Sequence, residues 1–237
     1  MNSQRLDKII ASQLNIPRGM ARTQIHRGKV TVDGDICRDP SLKVDADTAQ
    51  ITYKGQAVTY KEHIYLVLNK PRGVISASTD KSRETVVDLV PENLRRSDLA
   101  PVGRLDRDTT GLLLITDDGD FAHKIISPKS EILKTYEVEL DGEITEDTVK
   151  KFAEGVTLAD GTVCKSANLV VISPTKARVE ISEGKYHQIK RMFGTVDLGV
   201  NELKRLSIGA FDLPQDLNEG DCRELTEEEK KALFINR

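Results

Sequence analysis

The sequence is poor in the groups that build metal centres, disulfide frameworks and membrane spans. Its three cysteines, Cys37, Cys164 and Cys222, are odd in number and far apart, with no C-x-x-C pair, so they are expected to be reduced thiols. The four histidines, His26, His63, His123 and His187, show no H-x-x-x-H or H-x-E spacing, which leaves a catalytic metal without support, and no cofactor is expected. Neither a G-x-G-x-x-G turn nor a Walker-type loop appears. The longest apolar runs, such as Leu112 to Ile115, fall far short of the roughly 20 residues a membrane helix needs. Met1 to Gln13 lacks the apolar core of a secretory signal, so a cytoplasmic location is expected, without a membrane partner. No self-association signature is visible, and a monomer is the default.

An overall excess of positive charge is also missing. The net charge of −3, taken alone, speaks against a nucleic-acid partner, because phosphate binding usually leaves a basic footprint. The average conceals an asymmetry. Through residue 60 there are nine Lys/Arg against six Asp/Glu, and 26 against 32 thereafter. In the first thirty residues only Asp7 opposes Arg5, Lys8, Arg18, Arg22, Arg27 and Lys29. A local basic cluster on an otherwise acidic chain points to one dedicated polyanion-binding surface; the alternative is a solvated helix face.

Its 237 residues and 38% hydrophobic content suffice for packed cores. Leu6, Ile9, Ile10 and Leu14 recur at helical spacing, Pro17-Arg18-Gly19 interrupts them, and a second helix is predicted over about Met20 to Arg27. Val30 to Val32, the turn pair Asp33-Gly34 and Asp35 to Cys37 read as a tight hairpin, with a further alternating strand in 42–54. Beyond Ile64 the pattern predicts strands at Tyr65 to Leu68, Leu112 to Ile115, Tyr136 to Leu140, Asn168 to Ile172 and Ala177 to Ile181. Helices are predicted at Phe121 to Ile126, Glu146 to Glu154, Tyr186 to Phe193 and Glu227 to Phe234. These do not repeat as strand-helix-strand units, so the class is α+β, with a mainly antiparallel sheet rather than a doubly wound one.

The sharpest chemical segment is Gly103-Arg104-Leu105-Asp106-Arg107-Asp108-Thr109-Thr110-Gly111-Leu112-Leu113, a polar loop that runs directly into an apolar strand. A carboxylate with a cation nearby stays ionised at neutral pH and can serve as nucleophile or base without a cofactor. On residue types alone, Asp106 and Asp108 could be an acid and nucleophile pair for glycoside chemistry or plain turn formers, and turn-forming is the commoner fate of such residues.

Two resemblances extend this reading. Arg5-Leu6-Asp7-Lys8 and Gly28-Lys29-Val30-Thr31-Val32-Asp33-Gly34, within the order helix, turn, basic helix, hairpin, resemble the small S4-type RNA-binding domain. That implies an RNA-facing patch of Arg5, Lys8, Arg18, Arg22, Arg27 and Lys29. The Asp106 loop, together with Leu68-Asn69-Lys70-Pro71-Arg72-Gly73, Lys134-Thr135-Tyr136 and Glu183-Gly184-Lys185-Tyr186-His187-Gln188-Ile189-Lys190-Arg191-Met192-Phe193, resembles the motifs of pseudouridine synthases in their family order.

The resemblance implies an S4-type domain over 1–58, a linker over 59–63, and a catalytic domain with flanking helices and a central cleft over 64–237. It implies Asp106 as the essential carboxylate, Tyr136 against the target base, and a cationic partner for Asp106: Lys190 first, Arg191 second. Arg104 would enter the stack that the nucleotide leaves, with Lys70, Arg72 and Arg205 as further RNA contacts. His187 is expected to be structural, and Leu203 and Ile208 to pack. The form of the motifs is similar to the branch that modifies ribosomal RNA. The expected substrate is one uridine of 16S RNA within a partly assembled small subunit, with 23S RNA the alternative; the chain's end at Arg237, without a basic extension, favours 16S. An N-glycosyl hydrolase and a noncatalytic ribosome-assembly factor are the rival classes.

Overall fold

A computed structural model describes residues 2–236. The chain forms two compact units, one running up to Ile64 and including Glu92–Asp98, the other made of Tyr65–Pro91 and the chain from Leu99 onward.

In the first unit, β1 (Ser3–Arg5) leads into α1 (Leu6–Gln13) and α2 (Arg18–His26), followed by β2 (Val30–Val32), β3 (Asp35–Cys37), β4 (Lys43–Asp45), β5 (Ile51–Tyr53) and β6 (Gln56–Ala57). The apolar stripe read from the sequence is the core: Leu6, Ile9 and Ile10 of α1 meet Ala21 and Ile25 of α2, Val30 and Ile51. The hairpin closes at Asp33 and Gly34, with φ of 52° and 93°. Both central residues of such a two-residue turn need positive φ, which Asp tolerates and Gly adopts freely. The predicted strand within 42–54 is two strands: β4 pairs with β1 and β5 with β2.

The second unit contains β7 (Tyr65–Lys70), β8 (Ala100–Pro101), β9 (Thr110–Thr116), α3 (Gly119–Ile126), β10 (Lys134–Leu140), α4 (Glu146–Glu154), β11 (Asn168–Ser173), β12 (Lys176–Ile181), α5 (Gln188–Gly194), β13 (Val200–Ile208), β14 (Phe211–Asp212), β15 (Cys222–Glu224) and α6 (Glu227–Ala232). One sheet runs in the order β11-β12-β10-β13-β9-β7-β15, with β14 beside β13 and β8 beside β9. Every pairing is antiparallel except that of β9 with β13. The expected α+β, mainly antiparallel design is therefore present, with a single parallel junction at its centre.

That junction requires Gly111. Its φ is 96°, and a Cβ there would collide with the backbone carbonyl of Arg205, so only glycine lets β9 and β13 come together at this point. Along β10, Tyr136 and Val138 are buried while Thr135, Glu137 and Glu139 are only partly covered, as a period of two demands. Core side chains on the helices anchor the elements around the junction: Ile125 packs with Val67, Leu112 and Leu114, and Phe152 of α4 meets Phe193 of α5 with ring centroids 4.6 Å apart. The acidic start of α6 is closed by a capping box in which Thr226 and Glu229 each accept the other's backbone N–H. Among the described residues, no helix is long and apolar enough to cross a membrane.

Candidate active site

The polar loop before β9 is fixed from behind by the Lys70-to-Gly73 segment. The Lys70 ammonium donates to the carbonyls of Pro71, Arg107 and Thr109 at 3.0, 3.3 and 2.9 Å. Gly73 N–H donates to the Arg107 carbonyl at 2.8 Å, and Arg107 Nε returns a bond to the Gly73 carbonyl at 3.0 Å. On the other flank Ser76 Oγ bonds both the N–H and the carbonyl of Leu105, whose side chain is buried. A buried residue thus sits between exposed Arg104 and half-exposed Asp106, and the carboxylate is aimed out of a rigid turn. Lys70 is fully buried, so its expected role as an RNA contact is corrected: it is an internal clamp. Burial pushes its pKa down to about 8, opposed by the nearby Asp108 and Asp106 carboxylates.

The second wall comes from the segment entering α5. Glu183 accepts from the Lys165 N–H, pairs with the Lys185 ammonium, and receives Gln188 Nε2 at 2.8 Å, while Gln188 Oε1 accepts from the Lys185 N–H. This network bends the chain so that His187 takes a left-handed conformation (φ 48°), and the helix begins at Gln188 rather than at the predicted Tyr186. Ile189, Met192 and Phe193 then point into the core, which turns Lys190 outward.

Lys190 Nζ lies 3.2 Å from Asp106 Oδ2 and 2.5 Å from Asp108 Oδ1, so one ammonium bridges both carboxylates of the loop. His187 Nε2 is 3.4 Å from Asp106 Oδ1. The Lys190 contact holds the Asp108 carboxyl below the usual carboxylate range, against a smaller burial effect in the other direction. Arg191, the second choice as partner of Asp106, is corrected: one helical step carries it away to pair with Asp160 at 2.5 Å and the Tyr186 carbonyl at 3.3 Å. Asp106, Tyr136, Lys190, His187, Ile181 and Leu203 line a pocket of about 80 Å³, and Arg104, Asp106 and His187 also border a cleft of about 940 Å³. The Asp106 side chain is 26% exposed, so it is reachable from the cleft while held by two neighbours.

A family model for RNA pseudouridylate synthases matches residues 64–195, and one for the S4 domain matches residues 4–49. The chain belongs to the RNA pseudouridylate synthase family. The ribosomal small subunit pseudouridine synthase A of Escherichia coli K12 is 43% identical over 95% of this chain and 97% of that protein. An uncharacterised RNA pseudouridine synthase of Bacillus subtilis is 42% identical over 97% of this chain and 98% of that protein. A crystal structure of a pseudouridylate synthase superposes with a TM-score of 0.69 at 36% identity, covering 98% of this chain and 100% of that one.

In this synthase Tyr136 lies opposite Arg205 in the β10–β13 register. Arg205 is 3% exposed: its Nε donates to the Leu112 carbonyl at 2.7 Å, Nη1 lies 3.5 Å from Tyr136 Oη, and its guanidinium carbon is 6.0 Å from the Tyr136 ring centre. The expected RNA contact at Arg205 is thereby corrected to an internal brace between β9, β13 and Tyr136. Leu203 and Ile208 pack as predicted. Arg72 is exposed, with Nη2 on the Asn201 carbonyl. Arg205→Ala should cost about 2–4 kcal/mol of stability without changing the salt slope of RNA binding. Arg72→Ala should lower that slope by about 0.7–0.9. Chemical denaturation and a salt titration of affinity check the pair.

The S4-type unit of the synthase has an arrangement that the charge count concealed. Asp7 is fully buried, and its carboxylate receives Arg5 at 3.1 Å, Arg18 at 2.9 Å and Arg22 at 2.9 Å, leaving those side chains 39–51% exposed. The lone acid gathers three arginines onto one surface. Burial alone would raise the Asp7 pKa, but the three guanidinium hydrogen bonds outweigh it and hold the carboxyl well below the ordinary range. Lys8, Arg27 and Lys29 are exposed, and Arg38, which sequence reasoning passed over, bonds the His26 carbonyl beside Gly28.

Asp7→Asn should destabilise this unit by roughly 3 kcal/mol, read by amide exchange in α1 and α2. The carboxyl is depressed in the folded state. Its contribution is therefore complete above the unfolded value of about 3.9 and is lost as pH falls through the lower folded value, so the gap between native and Asp7→Asn chains closes in strong acid.

Proposed function

We propose that this synthase isomerises one uridine of 16S ribosomal RNA to pseudouridine, with Asp106 as the catalytic carboxylate. The reading rests above all on one observation: a partly exposed carboxylate fixed beside an ammonium, in a pocket that also holds an aromatic ring. The reaction breaks the bond from C1′ to N1, turns the uracil and joins C1′ to C5, so N1 gains a proton and the C5 hydrogen leaves to solvent. A base buried in a helix cannot be turned, and the nucleotide must be extruded into the pocket. Tyr136 then offers a stacking face, worth about 1–3 kcal/mol, and Lys190 neutralises and positions Asp106. Attack at C6, bonding to C1′ and removal of the 2′ hydrogen all start from the same carboxylate against the nucleoside.

The Asp108 carboxyl, held ionised by Lys190, is unsuited to donating a proton to a leaving group, which speaks against a glycosidase-like pair. The arginines gathered by Asp7, with Lys8, Arg27 and Lys29, serve as the RNA-binding surface, and Arg104 and Arg72 as contacts near the target. The 16S assignment follows the small-subunit relatives, and the protein acts as a cytoplasmic monomer on a partly assembled subunit. Chemical mapping of pseudouridine in 16S and 23S RNA from a deletion strain tests the reading. One 16S position should lose its modification and regain it with the native gene but not with Asp106→Asn; a loss confined to 23S RNA would refute the substrate.

A further inference from the structure

Aromatic side chains are scarce in this chain, 4% with no tryptophan, and nearly all are at least partly buried. Tyr186 is the most exposed of them. It is 67% exposed, ahead of Phe234 at 45%, and the remaining tyrosines and phenylalanines are half-buried or buried. One face of its ring lies on the His187 imidazole, with centroids 3.8 Å apart and planes 19° from parallel. His187 itself is beside Asp106, and both rings border the wide cleft that Asp106 and Arg104 also border.

The backbone explains why the pair is there. His187 is held left-handed by the Glu183–Gln188 network, and Arg191 Nη1 grips the Tyr186 carbonyl, so the segment is fixed before any ligand arrives. A tyrosine left open to water in a fixed loop gains nothing for the core, and a flat ring backed by a second flat ring is a surface for a third.

We infer that Tyr186 is a stacking platform for the nucleobase adjoining the target uridine. The inference rests on the proposed RNA reaction at Asp106. Tyr136, inside the small pocket, faces the extruded uracil; Tyr186, at the cleft, takes the unpaired neighbour that extrusion leaves without its stacking partner. Backed by His187, it makes the conformation of the flanking nucleotide part of substrate selection, and Arg104 and Arg107 on the same cleft face the backbone phosphates.

The test uses a single-stranded oligouridylate with one central 2-aminopurine, and the same strand with an abasic residue in its place. The Asp106→Asn background prevents turnover. Binding should quench the 2-aminopurine, and Tyr186→Ala should abolish the quench and weaken binding roughly 5- to 150-fold. Tyr186→Phe, which keeps the ring, should restore most of both. On the abasic strand Tyr186→Ala should lose nothing further. In otherwise native protein acting on transcribed 16S RNA, Tyr186→Ala should raise KM by a similar factor and leave kcat within about threefold. An unchanged quench, or an equal loss on the abasic strand, would overturn the platform. Failure of the native chain to form pseudouridine, with the Tyr186-dependent quench intact, would instead refute the reaction and leave the stacking site standing.

Discussion

Asp106→Asn should abolish pseudouridine formation, slowing single-turnover conversion by at least about 10⁴-fold, while RNA affinity stays within about twofold. The substitution preserves the size of the side chain and removes its charge, so the turn that carries it should survive. That turn is held by Lys70 on the carbonyls of Arg107 and Thr109 and by Ser76 on Leu105, none of which touches the Asp106 carboxylate. An amide is a far poorer nucleophile and base than a carboxylate. Affinity should persist because the arginines around Asp7 belong to the other unit. A chain that only bound RNA during ribosome assembly would keep every activity after this change.

Lys190→Met should be the next most damaging substitution, with a loss of about 10²–10³ in kcat and a smaller effect on KM. Lys190 Nζ is shared, 2.5 Å from Asp108 and 3.2 Å from Asp106. Methionine keeps the unbranched stem and removes the ammonium that both carboxylates share, leaving Asp106 with His187 beside it and the charges of Lys70 and Arg72 acting only at longer range. Lys190→Arg retains charge but places it in a planar fork that does not reproduce a point-like bridge, and should fall between the native chain and Lys190→Met. Asp108, freed from Lys190, should titrate nearer the ordinary carboxylate range, which carbon-detected NMR of the labelled side chain can follow. Arg191→Met should leave Asp106 untouched, since Arg191 pairs with Asp160.

The fold was legible where periodicity was clean. The α1 stripe, the Asp33-Gly34 hairpin and helix α4 lie where spacing put them. Strand β13, the longest in the sheet, was missed as a strand because Asn201, Glu202, Lys204 and Arg205 give it a polar run. The bulge opposite Thr135 and Tyr136 also breaks its alternation. Only the sheet context, with β9 and β10 on either side, makes such a segment a central strand.

At the site, the motif order located Asp106, Tyr136 and Lys190, which the structure brings to one pocket. Lys70 and Arg205 escaped because a basic side chain is ordinarily exposed; here three carbonyl acceptors compensate the burial of Lys70, while Arg205 is held by the Leu112 carbonyl and Tyr136 with its Nη2 left without a hydrogen-bond partner. His187, expected to be structural, stands beside Asp106, a position that its left-handed backbone sets and the sequence does not reveal. Asp7, counted as an opposing charge, organises the arginines it seemed to dilute.

The most direct measurement supplies the native chain and Asp106→Asn with 16S RNA carrying tritium at C5 of uridine and follows tritium release beside the mass of the RNA. The native chain should release one C5 tritium to water per uridine converted, with the nucleoside retained in the strand, and Asp106→Asn should bind the RNA and release none. Free uracil and an abasic strand from the native chain, or tritium release by Asp106→Asn at the native rate, would contradict a carboxylate-driven isomerisation at Asp106.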